Sequence, residues 1–354
     1  MILKLYSDRK YLPGDSPHVP LLCPFWGMKN TLDAVSNGFE AYQGLGYSLY
    51  QLTTLAESNF AILPADWRFY EESSEHQELA KSLIKAAVTL GKKTIIFHWH
   101  DHLPKLDFTN VIFFHTSLYK SKQSSSDFAL PFWGSDMIET QFDGNLPIMQ
   151  KSDQPTVGFC GHIGKQDLSI KTSLKKIGSK LGFNISQPPE NGARTRTLAL
   201  NNLTRSPFIN TDFIVRDRFY GGAMNDKGEW DYAIIQKVRQ DYITNLMGNN
   251  YTLCVRGLGN YSQRFYDTLC CGKIPVFVNT DCVLPYDFLI AWRKYCVWIE
   301  EYDLPRISQK IMEFHNQLSA QDFVDMQYEC RKIWEEWLSP EGFFTNFHRH
   351  FINT

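Results

Sequence analysis

The chain has 354 residues, 43% of them hydrophobic, and a formal net charge of -2. That length can bury two separate cores, and a charge so near neutrality argues against a polybasic surface for nucleic acid or anionic membrane. No apolar run approaches the ~18 residues needed to span a bilayer, and the opening MILKLYSDRKYLP lacks the apolar core of a secretory signal, so a cytoplasmic protein without a membrane anchor is expected.

The amino-terminal part opens with a proline-rich loop over residues 12–27. Residues 60–63 then read as a strand followed by PADWRFY. Helical spacing over 74–91 places Leu79, Leu83, Ala86, Ala87 and Leu90 on one face. Short buried strands follow at 94–97 and 111–114, and Ser124, Ser125 and Ser126 mark an exposed loop. This alternation predicts an open parallel sheet with helices on both faces.

Directly after the 94–97 strand comes His98-Trp99-His100-Asp101-His102. Three readings stand side by side: a metal-binding cluster, a site at the carboxyl end of a strand that could supply a general base, and an exposed loop with no chemistry. The eight cysteines (Cys23, Cys160, Cys254, Cys270, Cys271, Cys282, Cys296 and Cys330) form no C-x-x-C pair and sit in apolar patterns, so they read as reduced packing residues.

Residues 151–155, KSDQP, make a short polar linker ending in proline. Beyond it TVGFCGHIG predicts a strand and a glycine turn, with His162 and Lys165 near its end, and a helix over 167–181. A polar stretch with Pro188, Pro189 and Gly192 leads to Arg194, Arg196 and Arg205. A strand at 211–215 ends in RDRFYGG, where Arg216 and Arg218 either add positive potential or form solvated pairs with aspartate. Residues 230–247 read as an amphipathic helix.

The densest stretch is 251–281, YTLCVRGLGNYSQRFYDTLCCGKIPVFVNTD. Two apolar runs, 251–255 and 274–278, flank a glycine loop and a helix that Ser262 can cap and Gly272 can end, giving a strand–loop–helix–strand unit. The loop brings a helix N-terminus, Arg256 and Arg264 to one point, a combination that favours an anion. Its glycine spacing is not the dinucleotide fingerprint, and no Gly-Lys-Ser/Thr loop occurs. Further on, a helix is predicted over 286–294, a strand over 296–299, and helices over 307–318 and 321–338. The tail GFFTNFHRHFIN is apolar enough to pack.

The order CVRGLGNYSQRFYDTLCCGKIPVFVNTDCVLPYDFLIAW resembles the donor-binding half of the exostosin family of glycosyltransferases. Arg256-Gly257, Ser262, Arg264-Phe265, Gly272, Ile274-Pro275-Val276 and Leu284-Pro285 all fall in the family's order. The likeness extends back to RTLAL and forward to KIWEEWLSP, and where the family usually carries glutamate this chain has Asp267. The resemblance implies two Rossmann-like α/β domains in a glycosyltransferase-B arrangement with an interdomain cleft. They would be an acceptor-side domain at 1–150 and a donor domain at 156–335, with the tail 336–354 returning to the first. It implies an inverting transfer in polysaccharide biosynthesis, from a nucleotide diphosphate donor, a UDP-sugar, to a saccharide or glycoconjugate acceptor. It implies no cofactor beyond that co-substrate and no metal, consistent with the absence of a D-x-D motif.

On that reading Arg256 and Arg264 take the diphosphate, with N–H groups from Gly259 and Asn260 to Ser262, and with Arg196 and Arg218 adding charge. An arginine fork suits phosphate, whereas a carboxylate belongs on the ribose hydroxyls, the role expected of Asp267. The general base is sought at the N-terminal strand ends: Asp101, then His100, then Asp66. Trp67, Trp99 and Trp133 are either sugar-stacking platforms or core. The competing classes are a metal-dependent hydrolase centred on HWHDH and a non-catalytic saccharide- or nucleotide-binding protein.

Overall fold

Two parallel sheets carry the chain. The computed structural model describes residues 2–28, 38–104, 108–163, 192–224 and 229–352. The first sheet contains β1 (Leu3–Tyr6), β2 (Tyr50–Leu52), β3 (Phe60–Ile62), β4 (Lys93–His98), β5 (Val111–His115) and β6 (Asp127–Ala129), ordered β2-β1-β3-β4-β5-β6. The second contains β7 (Thr156–His162), β8 (Asn210–Arg216), β9 (Tyr251–Cys254), β10 (Ile274–Asn279) and β11 (Val297–Glu300), ordered β11-β10-β9-β7-β8. Every pairing within them is parallel. The central strands β4 and β9 are buried along almost their whole length, which is why they read as unbroken apolar runs rather than alternating ones.

Parallel pairing sends the carboxyl ends of all strands in a sheet to one edge, where the loops that bind ligands gather. In the second sheet that edge carries the loop after β9 and the helix Gln263–Cys270. In the first it carries the histidine segment, because the β4–β5 register sets His98 opposite His115.

Several elements depart from expectation. The helix expected over 286–294 is replaced by a turn with only a single helical turn at Trp292–Lys294. Tyr286 has a positive φ of 53°, outside the helical region, and its buried hydroxyl donates to the Phe343 carbonyl at 2.7 Å. Ser74–Thr89 is helical as expected, but its buried face is Ala80, Leu83, Ile84 and Ala87, while Leu90 lies beyond the helix and is exposed. The 321–338 segment divides into Ala320–Ile333 and a widened turn, Trp334–Leu338. The helix Gly192–Thr204 was read only as a polar, basic stretch, because its apolar positions are few. The expected helix at 167–181 and Lys165 lie outside the described residues.

The chain's last helix, Pro340–Asn346, packs on the first sheet's helical layer: the Phe344 ring stacks on Tyr42 at 4.4 Å, and the Tyr50 hydroxyl donates to its carbonyl. Phe347 continues that contact against Phe114 at 4.9 Å. All eight cysteines are free thiols, seven of them buried. Among the described residues no helix is long and apolar enough to cross a membrane.

Candidate active site

Three arginines meet at the carboxyl edge of the second sheet. Arg256, which follows β9, is 5% exposed; its Nε donates to the Gly259 carbonyl at 3.1 Å and its Nη2 to Leu258 at 2.8 Å, so it shapes its own loop. Arg264, in the first turn of the helix Gln263–Cys270, lies 4.4 Å from the Phe159 ring and donates through Nη2 to the Cys160 carbonyl. Arg196, from the helix Gly192–Thr204, donates through Nη1 to the His162 carbonyl at 2.7 Å. The guanidinium of Arg264 fits because residue 161 is glycine: a Cβ there would stand 2.7 Å from Nη2.

Among the described residues no carboxylate forms an ion pair with Arg196, Arg256 or Arg264. The buried Nε groups of Arg196 and Arg264 have no hydrogen-bond partner among the described residues. Burial first, and then the charges of Arg264 and Arg256, push the Arg196 guanidinium down to about 10. Buried like charges with unsatisfied donors are costly unless an anion joins them.

Asp267 lies one helical turn beyond Arg264, and its Oδ2 accepts the Tyr242 hydroxyl at 2.7 Å. Burial pushes its carboxyl up to about 6, against the opposing pull of the Tyr242 hydrogen bond and of Arg264. Tyr242, on the helix Tyr232–Met247, was missed by sequence reasoning, since an aromatic residue on an amphipathic helix carries no local sign of such a role. Ser262 occupies the N-cap position, yet its hydroxyl makes no capping hydrogen bond.

The loop after β9 is also tied to the first sheet. The Gly259 N–H donates to Asp101 Oδ1 at 3.1 Å, and the Asn260 N–H donates to Ser117 Oγ at 2.7 Å. The Asn260 side chain is fully buried, donating to the Leu118 and Asp281 carbonyls at 3.2 and 3.1 Å and accepting from Thr280 at 2.7 Å. The Gly259 and Asn260 amides, expected to face phosphate, here serve contacts between the two sheets' loops.

Residues 216–314, which include Arg256, Arg264 and Asp267, match the Exostosin GT47 domain. The chain is similar to "Exostosin-1" of Drosophila melanogaster, 27% identical over 99 residues, and to "Probable glucuronosyltransferase GUT1" of Oryza sativa subsp. japonica, 31% over 68 residues. Over residues 216–314 the chain is thus similar to exostosin-family glycosyltransferases. "Probable glucuronosyltransferase 47 A" of Physcomitrium patens is 35% identical over 71 residues. These three matches cover 28%, 19% and 20% of this chain, and span only 12%, 16% and 16% of the relatives' own lengths. The exostosin match does not favour the hydrolase reading of the histidine segment.

The exostosin match leaves the first sheet's edge outside it. There Asp101 is half-buried, and among the described residues only its Oδ1 is engaged, by Gly259. His100 is exposed, stacks 5.6 Å from His98, and its Nδ1 accepts the His102 N–H at 3.4 Å. Asp66 is fully buried and caps the helix Trp67–Tyr70, accepting Arg68 N–H at 2.9 Å and Trp99 N–H at 2.7 Å, so it cannot reach an acceptor. Trp67 and Trp133 are core side chains, and Trp99 stacks on Phe97 at 5.4 Å. Arg218 is exposed on the turn after β8, while Arg216 pairs with Asp241 at 3.0 Å.

Proposed function

We propose that this exostosin-family chain is an inverting glycosyltransferase. It moves a sugar from a UDP-sugar to a saccharide or glycoconjugate acceptor in polysaccharide synthesis. The observation that carries this reading is the unpaired cluster of Arg196, Arg256 and Arg264, with two buried Nε–H groups lacking a partner. A diphosphate supplies the missing charge and acceptors, because guanidinium forks match its oxygens.

In this reading Arg264 and Arg196 hold the diphosphate, Arg256 keeps the loop in shape and adds charge, and Arg218 contributes from the rim. Asp267 accepts the ribose hydroxyls, with Tyr242 fixing its rotamer. The two sheets act as Rossmann-like halves of a glycosyltransferase-B arrangement, with acceptor-side residues 1–150, donor-side residues 156–335, and reaction between the carboxyl edges. Asp101 is the general base and His100 the second candidate. As the acceptor oxygen attacks the anomeric carbon, the carboxylate takes its proton; the bond to the diphosphate breaks, and the arginines stabilise the charge released on UDP. Transfer on this scheme needs no added magnesium or manganese.

Titration of UDP into the wild-type chain and the Arg264→Ala variant, with circular dichroism as folding control, tests the assignment. The variant is expected to fold normally and to bind ten- to a hundredfold more weakly, the effect of about 1.5–3 kcal/mol for a charge-assisted contact. Unchanged affinity overturns it.

A further inference from the structure

We propose that His98, His100 and His102, together with Glu71, form a binding site for a zinc-type divalent cation that fixes the turn carrying Asp101. Nothing in the glycosyl-transfer scheme uses these side chains as a set, and the proposed ion takes no part in the reaction.

The sequence places the three histidines at alternate positions, which in a continued strand would spread them too far apart to share an ion. The chain instead leaves the sheet after His98 and bends at residues 100–102, bringing the His100 and His102 rings to 4.2 Å between centroids. One nitrogen from each histidine lies within 4.8 Å of the others. Glu71, immediately after the helix Trp67–Tyr70, faces the same point: its Oε2 is 3.3 Å from His102 Nε2 and 3.9 Å from His98 Nε2. A tetrahedral ion with bonds of about 2.0 Å separates its ligands by roughly 3.3 Å. The glutamate–His102 edge already has that length, and the remaining edges close by small rotations of exposed imidazoles.

Two further facts separate this cluster from a plain carboxylate–imidazole ion pair. His98 is fully buried, yet neither of its ring nitrogens has a hydrogen-bond partner among the described residues. A buried imidazole is otherwise satisfied, and an ion at the cluster would satisfy one nitrogen directly. The donor set also selects its ligand: three neutral nitrogens and one carboxylate suit zinc and its neighbours, whereas magnesium and calcium require oxygen. The Trp99 N–H is held by Asp66, and the Asp101 carboxylate by the Gly259 N–H at 3.1 Å, so the turn is anchored at both ends and the ion would fix its middle. All four ligands belong to the first sheet's half of the chain, and none belongs to the arginine cluster.

Metal content after dialysis, and titration of the full-length metal-free chain with Zn²⁺ and Co²⁺, test it. The expected result is one saturable site per chain, intense visible bands of four-coordinate cobalt, and a Tm raised by roughly 2–5 °C with zinc. His100→Ala and His102→Ala alter exposed residues, and each is expected to weaken binding by about tenfold or more and to abolish the cobalt bands, with Glu71→Gln following the same direction. Absence of a saturable site in the wild-type chain overturns the proposal. So does zinc affinity that is unchanged in the His100→Ala, His102→Ala double variant. UDP titration of the same metal-free samples reports on the arginine site separately, so the two readings can fail independently.

Discussion

At the end of β9 three guanidinium groups crowd together with no carboxylate ion-paired to them among the described residues. At the end of β4 three imidazoles cluster, with one glutamate beside two of them. Both clusters occupy the same position in a parallel sheet, the carboxyl edge, so topology explains where they are but not what they bind. Uncompensated positive charge calls for an anion, while neutral nitrogen donors with one carboxylate call for a cation. The two edges meet through Asp101 with Gly259 and Ser117 with Asn260, which couples the position of the proposed base to the shape of the arginine loop. The exostosin match covers residues 216–314, and so takes in Arg256 and Arg264 but neither Arg196 nor the histidines.

The largest expected effect breaks the link between the edges. Asp101→Asn keeps an oxygen for the Gly259 N–H but cannot take a proton, so kcat is expected to fall by roughly 10²–10⁴ while UDP affinity stays near wild type. Near-normal turnover in a steady-state assay would move the base elsewhere. Next comes the arginine edge itself: Arg196→Ala is expected to weaken UDP binding in the same ten- to hundredfold range as Arg264→Ala, since each contributes an unpartnered buried Nε–H. An effect in one variant but not the other, read by calorimetry, would show that the cluster does not act as a unit.

Gly161→Ala sharpens the comparison further. A methyl group 2.7 Å from Arg264 Nη2 must displace the guanidinium, yet that group is the flexible end of a side chain. UDP affinity is therefore expected to drop several-fold, less than in Arg264→Ala, with little loss of Tm. A fall in Tm with no change in affinity would place the guanidinium in a purely structural role.

The smallest effect is a pH dependence from Asp267. Its carboxyl is held near 6, above its ordinary 3.8, so it is protonated below about pH 6 and loses an acceptor for the ribose hydroxyls. Affinity for a UDP-sugar, whose diphosphate does not titrate in this range, should fall as pH drops through about 6, and Asp267→Asn should flatten that slope. The linked stability runs the other way. A carboxyl raised in the folded state adds stability that is fully present below about pH 4 and is lost as pH rises through about 6. A slope surviving in Asp267→Asn would assign it to another group.

The sequence by itself determined the strand–loop–helix–strand unit, with Tyr251–Cys254, Gln263–Cys270 and Ile274–Asn279 close to the expected bounds, because apolar runs and glycine punctuation are local signals. It also placed Arg256, Arg264 and Asp267 on one turn. Tertiary structure alone decided which groups join them. Arg196 arrives from a helix with a weak apolar pattern, Tyr242 reaches Asp267 across 25 positions, and Asp101 takes the Gly259 N–H across 158. The same holds at the other edge, where a bend after β4 and a glutamate from a neighbouring helix end turn three alternate histidines into one cluster. Local periodicity records which face of an element is buried, but carries no information on which loop closes against it. Those partners are fixed by sheet order and packing, which only the folded chain expresses.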